Sequence, residues 1–368
     1  VIRLAVLPDF PDEGWPSMDL CAEQLLANLP DNGPNAVRAT RVCPQFRRIA
    51  GRLPIVGRKN VAFNADRLFN RFVTFPRHLR RVVTSFDAFH VVDHSYAQLI
   101  HDLPSERSGA YCYDLDAFRC LVDPPADPRP RWFRALARRT LAGLQKAARV
   151  FLISRQTGAD LLRHGLVDPA KLVHAPLGVA AEFTPGEVRF QGPATLLHVG
   201  SCIPRKRIDV LLEVVAEVRR RNPEVQLIKV GGTWTTEQRD QIARLGLANA
   251  IDHRQNLSRA DLAEQYRAAS VVLVPSEYEG FGLPVIEGLA CGAVVITSDI
   301  PALREAGGPA AIYAPVADVV TWADLVQRAL TEPNFPLPRA ERLTWSSQFT
   351  WSAHAATIAS TYHRLLTK

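Results

Sequence analysis

The sequence has no apolar run able to cross a bilayer. Stretches such as Val271–Val274 and Ala293–Ile296 hold four residues each, against the ~20 that a spanning helix needs. Six cysteines stand at 21, 43, 112, 120, 202 and 291, and no two of them form a CxxC pair. Metal and disulfide frameworks are disfavoured, and buried thiols in a reducing compartment are expected. The opening residues, Val1–Leu7, read as a strand and carry no basic, apolar, small-residue leader pattern. Tandem repeats and low-complexity tracts are absent. So is any RNP, zinc or helix-turn-helix signature beside the positive charge. These absences point to a soluble cytoplasmic protein that binds no nucleic acid.

What is present is an alternation. The 368 residues are 47% apolar, enough for two α/β domains with a core each. In the first half, Ile2–Leu7, Phe89–Val92, Ala110–Tyr113 and Val150–Ile153 read as strands. Helices are expected at Met18–Asn28, Trp132–Ala148 and, after Ser154 as N-cap, Gly158–Arg163. The Gly- and Pro-rich stretch Ala175–Pro193 is the linker candidate. The pattern restarts with strands at Thr195–Val199, Gln226–Val230, Val271–Val274 and Val294–Thr297. Helices fall at Ile208–Arg221, Glu237–Leu245 and Arg259–Ala269, with one more between the last two strands. Near-continuous apolar strands alternating with helices predict parallel, doubly wound sheets with ligands at the carboxyl ends of their strands.

Two segments carry chemistry. In Ser276–Cys291, SEYEGFGLPVIEGLAC, a strand ends at Pro275, then Gly280 and Gly282 precede Pro284 at a helix start. The glycines allow close approach. The N–H groups of Gly282 and Leu283 would form an anion site at the helix N-terminus. Glu279 before the loop and Glu287 one turn into the helix fit acceptors for sugar and ribose hydroxyls. The plain alternative is a surface turn with solvated glutamates. In Leu197–Asp209, LHVGSCIPRKRID, a strand ends at Gly200 and a loop delivers Arg205 and Lys206 to a helix start. Cations there oppose the helix dipole unless an anion sits nearby, so a diphosphate ligand is expected.

These segments, with VVLVPSEYEGFGLPVIEGLACGAVVITSDIPALREAGG and APLGV, resemble the GT-B glycosyltransferases of family 4, which carry an E-x₇-E motif. The match is dense from about Leu196 to Tyr313 and thinner from Asp87 to Gly178. The resemblance implies two Rossmann-like domains facing across a cleft: an acceptor domain at 1–178, a donor domain at 179–345, and a helix at 346–368 crossing back to the first. It implies a nucleotide-diphosphate sugar as donor, no cofactor or essential metal, and retention at the anomeric carbon. Carried over by position, Glu279 contacts the donor sugar, Glu287 the ribose, and Lys206 with Arg205 the pyrophosphate. The backbone from Gly280 through Phe281 and Gly282 to Leu283 lines the sugar and phosphates. Gly231, within the strand end Lys229–Gly232, and Asn256–Leu257 fall at the base pocket. Ser201 stands where many members have Arg. Gly14, in the loop PDFPDEGWPSMD, is the residue expected to approach the donor. The family's strand-end histidine aligns with Tyr113, followed by Asp114, and His94 is placed to cover part of its role.

Asp114-Leu115-Asp116 is formally a DxD motif, set aside because the cations already serve the phosphates. The segment Arg38–Arg81 holds twelve Lys or Arg against one acidic residue, Asp66, while the whole chain carries +7. Its phenylalanines 46, 63, 69, 72 and 75 lie among the arginines. The segment fits peripheral contact with an anionic membrane at its inner face, an anionic acceptor, or a solvated surface over aromatic core. The acceptor class stays open among glycan, lipid-linked and small molecule. Two rival functions are a nucleotide-sugar epimerase and a catalytically silent nucleotide-sugar-binding protein.

Overall fold

The computed structural model describes residues 1–52, 59–186, 192–332 and 335–367. Parts of the linker candidate and of the basic segment lie outside them. The chain forms two compact units. One joins Val1–Leu177 to Trp351–Lys368, and the other is Gly178–Thr350. The second unit therefore runs past the expected boundary at 345. Its last helix, Arg339–Ser346, is anchored within it: Arg342 donates to Gly292 O at 2.9 Å, and Trp345 Nε1 to Ala306 O at 2.8 Å.

The first unit has six strands, β1 (Ile2–Leu7), β2 (Val37–Arg41), β3 (Ala88–Val91), β4 (Ser108–Cys112), β5 (Arg149–Leu152) and β6 (Leu172–His174). They pair in parallel in the order β2-β1-β3-β4-β5-β6. The second has β7 (Thr195–Val199), β8 (Gln226–Val230), β9 (Ile251–Arg254), β10 (Val271–Val274), β11 (Val294–Ser298) and β12 (Ile312–Ala314). Its parallel order is β12-β11-β10-β7-β8-β9. Each sheet reverses its winding once, between β1 and β3 and between β7 and β10. In such sheets the crevice at the carboxyl ends beside the reversal is the ligand site.

Central strands are buried on both faces, which is why VVLV of β10 carries no alternation. The strands that the sequence pattern missed, β2, β6, β9 and β12, are the four sheet edges. VRATR and IDHR carry polar residues because an edge strand needs only partial burial. Helix starts follow local chemistry. Ser154 accepts from Thr157 N–H at 3.2 Å, as its N-cap position predicts.

The helix Trp351–Leu366 belongs to the first unit and is fastened there by polar groups as well as burial. Tyr362 OH donates to Phe89 O at 2.8 Å, so His90 Nδ1–H donates to the tyrosine oxygen at 3.0 Å. Tyr111 OH donates to His354 Nε2 at 2.5 Å, while His354 Nδ1–H faces the carbonyls of Ala175 and Pro176 at 3.1 and 3.0 Å. Burial holds both histidines neutral, His90 down to about 3 and His354 to about 4.

Candidate functional site

The carboxyl ends of β7 and β10 present the two motif loops side by side. Glu279 is buried and is the centre of an ion cluster. Its Oε1 accepts from Lys206 Nζ at 2.5 Å and Ser276 Oγ at 2.7 Å, and its Oε2 from Arg205 Nη1 at 2.9 Å. Burial opposes its charge, but Lys206, Arg205 and the serine outweigh it and hold the carboxyl below its usual range. The loops are also stitched by backbone: Arg205 Nη1 donates to Tyr278 O at 3.0 Å, and Glu277 N–H to Arg205 O at 2.9 Å. The residues predicted to hold sugar and diphosphate are thus together, one carboxylate between two cations. Ser276, three residues before Glu279, was not anticipated.

The helix after this loop is Leu283–Ala290, with Gly282 before it at φ 116°. A Cβ at Gly282 would lie 2.7 Å from the Leu303 side chain, so both space and backbone require glycine. The first N–H groups of the helix have no intrahelical acceptor by construction and face outward from its start. The Phe281 ring does not line that surface. It is buried edge-on against Phe349. Glu287 is buried and accepts from Tyr266 OH at 2.9 Å. Burial pushes its carboxyl up to about 7 despite that bond and the charge of Arg259.

Beside this lie the ends of β7 and β8. His198 is buried, its Nδ1 2.9 Å from Leu273 O and its Nε2 without a hydrogen bond. Burial, with Lys229 and Lys206 nearby, lowers it to about 3. Ser201 is exposed. Gly231 and Gly232 have φ 83° and 67°, and a Cβ on Gly232 would lie 2.6 Å from Cys202 N. Asn256 has φ 54° and is exposed, and Leu257 is half-buried. His253 Nε2 lies 2.9 Å from Gly232 O and its ring 4.8 Å from that of Trp234.

In the first unit, the loops after β1, β3 and β4 gather a different set. Gly14 has φ 69°, and no atom lies within 4 Å of where its Cβ would sit. Its conformation requires glycine; crowding within the unit does not. The preceding Glu13 accepts from Arg71 Nε at 2.8 Å, from Arg67 Nε at 2.7 Å, and from Tyr96 OH. Asp9 is buried with Oδ1 unpartnered, and burial plus Asp93 and Asp19 raise it to about 7.

His94 is buried. Its Nε2 lies 3.4 Å from Asp114 Oδ1, at an angle short of a hydrogen bond, and its Nδ1 faces the Tyr113 N–H at 3.4 Å. Burial opposes its protonation, yet Asp114, Asp93 and Asp116 win and raise it. A histidine–aspartate pair is therefore built from two neighbouring loops. Tyr113 requires correction as a substrate contact. Its hydroxyl is buried against Cys21 of the helix Pro16–Asn28, not presented at the strand ends. Asp114 Oδ1 also accepts from Asp116 N–H at 2.9 Å, so the DxD sequence forms a turn.

The basic segment is less free than its composition suggests. Arg41 pairs with Asp19, Arg48 with Asp12, Arg67 and Arg71 with Glu13, and Arg80 with Asp102. Phe75 is core, and Phe46 stacks on Phe63 with centroids 5.9 Å apart.

Two doubly wound parallel sheets with charged loops at their reversal points are the GT-B architecture. Sucrose-phosphate synthase from Thermosynechococcus elongatus superposes with a TM-score of 0.75 at 20% identity, covering all of both chains. HepE from Anabaena, solved with UDP and glucose, superposes at 0.72 and 15% identity, covering 98% of this chain and 99% of its own. Residues 181–344 match the family described as glycosyl transferases group 1. Just under half of the chain is thus similar to that family. Among its relatives, an MMP α-(1→4)-mannosyltransferase of Mycolicibacterium hassiacum is 31% identical over 256 residues, 65% of this chain and 61% of the relative. A D-inositol 3-phosphate glycosyltransferase of Stackebrandtia nassauensis is 32% identical over 228 residues, 55% and 50% of the two chains. The chain thus spans between half and two thirds of the length of these relatives. Among the described residues, no helix is long and apolar enough to cross a membrane.

Proposed function

We propose that this protein transfers a sugar from a nucleotide-diphosphate donor to an acceptor hydroxyl, with retention and without a metal. The observation that carries the reading is the Glu279–Lys206–Arg205 cluster at the reversal point of the second sheet. A donor's diphosphate competes with Glu279 for the two cations. Glu279, relieved of part of its pairing, then accepts from sugar hydroxyls, and Glu287 from the ribose. In the reaction the bond from C1 to the diphosphate breaks and a new bond to the acceptor oxygen forms on the same face. The acceptor proton passes to the departing phosphate. Lys206, Arg205 and the helix start at Leu283 stabilise the charge that develops on that phosphate. In the first unit, the His94–Asp114 pair holds the acceptor.

Calorimetry with UDP, GDP and ADP, followed by donor hydrolysis and transfer assays, tests this reading. Binding of one diphosphate with release of free sugar or transfer supports it. Tight binding without turnover on any acceptor supports a silent binding protein, and epimer formation an isomerase. We also propose peripheral contact with an anionic membrane, through the exposed apolar residues Ile49, Val61 and Leu68 among the arginines. Co-sedimentation with phosphatidylglycerol vesicles but not phosphatidylcholine vesicles is the expected result.

A further inference from the structure

Lys229 has no part in the chemistry above, yet it lies between the loops that carry it. It sits on β8 and is fully buried. Its ammonium donates to Gly200 O at 2.7 Å, Gly231 O at 2.5 Å and Val230 O at 3.2 Å. Three N–H bonds meet three carbonyls, so its donors are satisfied. Its charge is not. Among the described residues no carboxylate pairs with it. Its titratable neighbours are His198 on β7, Cys202 and Lys206 in the loop after β7, and, through the carbonyls of Gly231 and Gly232, His253 on β9. The Trp234 ring lies 5.7 Å from the ammonium. A buried cation beside other cations is costly unless an anion approaches.

The geometry also has a direction. A trans peptide sets its C=O and N–H on opposite sides. With the Gly200 and Gly231 carbonyls drawn to the ammonium, the N–H groups of Ser201 and Gly232 point away from it. Both loops end at the carboxyl edge of the sheet, where the cations Arg205 and Lys206 stand.

We propose that Lys229 is a positioning residue of the donor site: its buried charge fixes the Gly200 and Gly231 carbonyls, turns the following N–H groups toward the donor diphosphate, and adds positive potential beside it. The inference rests on the nucleotide-diphosphate reading of this site. Burial lowers Lys229 to about 8, so its charge is partly lost at mildly alkaline pH and is retained when an anion binds.

The test is calorimetry on the full chain with a nucleoside diphosphate and with the matching uncharged nucleoside. Lys229→Gln keeps amide donors and removes the charge. It should weaken diphosphate binding by about 10- to 100-fold, in the range of charged hydrogen bonds, and weaken nucleoside binding far less. Adding Ser201→Arg, which places an exposed cation next to Gly200, should recover a large part of the loss. In the wild type, diphosphate affinity should fall between pH 7.5 and 9.5 while nucleoside affinity does not, and Cys202→Ser should keep that profile. Equal diphosphate affinity in a folded Lys229→Gln variant overturns the inference. If that variant does not fold, a flat wild-type pH profile overturns it. Wild-type protein that binds no nucleoside diphosphate at all overturns the donor reading itself.

Discussion

Each unit buries, near the ends of its strands, an ionisable group with no oppositely charged partner among the described residues, and these two have opposite sign. In the first it is Asp9, after β1, surrounded by Asp93, Asp19 and Glu13. In the second it is Lys229, beside Lys206. The topologies are close: six parallel strands with one reversal. The electrostatics are inverted. The first centre spends its arginines internally, on Glu13, and is left acidic around Asp9 and the His94–Asp114 pair. The second spends its one buried loop carboxylate on Arg205 and Lys206, and is left with a spare cation. The second suits an anion. The first suits neutral hydroxyl donors, which are what a sugar acceptor offers.

That contrast can be broken in graded ways. The largest effect is expected in the first unit. Arg71→Met leaves Glu13, whose side chain is fully covered, without its best partner, and should cost about 3–5 kcal/mol in the denaturant transition of that unit. Arg67→Met, whose side chain is 30% exposed, should cost far less. Equal effects would dissolve the distinction between a buried and a surface pair. In the second unit, Lys206→Ala and Glu279→Gln should each lower turnover by about a hundredfold or more. Unchanged rates in both remove the proposed mechanism.

Asp9→Asn probes the unmatched acid. The folded value of Asp9 lies above its unfolded one, so its contribution to stability is full below about pH 4 and is lost as the pH rises toward 7. The variant lacks that loss. Its advantage over wild type should grow from pH 4 to 7 and then level at about 2–4 kcal/mol. The smallest effect concerns Glu287. If its carboxylate accepts from a ribose, donor affinity should rise about tenfold from pH 6 to 8, as the group ionises through its raised value. Glu287→Gln should be flat over that range.

The sequence pattern revealed the central strands and, in the second unit, the helices at Ile208–Arg221, Thr236–Arg244, Arg259–Ala268 and Leu283–Ala290, but not Pro301–Gly307, Val319–Thr331 or Arg339–Ser346. It also missed the four edges: β2 and β9 are diluted by exposed residues, and β6 and β12 are only three residues long. At the donor site, the spacing of Glu279, Arg205 and Lys206 was legible as shared loops, but not their pairing with one another, which needs the distance between loops more than 70 residues apart. Lys229 was visible only as a lysine in an apolar strand. Arg67 and Arg71 read as surface charge because their partner, Glu13, precedes them by 54 and 58 residues. Tyr113 was placed by alignment, which fixes a Cα position and not the direction of a hydroxyl.

The helix Trp351–Leu366 gives the chain an order of completion. Its His354, Ile358 and Tyr362 are buried parts of the first unit's core. Residues 1–177 are made before the second unit, yet their unit is finished after it, since it waits for residues 351–366. The second unit is continuous and has all its strands at hand as soon as Thr350 has emerged. During synthesis the side of the first sheet later covered by this helix stays bare while the whole second unit is made. A pause or a stop codon shortly before Trp351 would therefore leave an assembled second unit attached to an unsealed first unit.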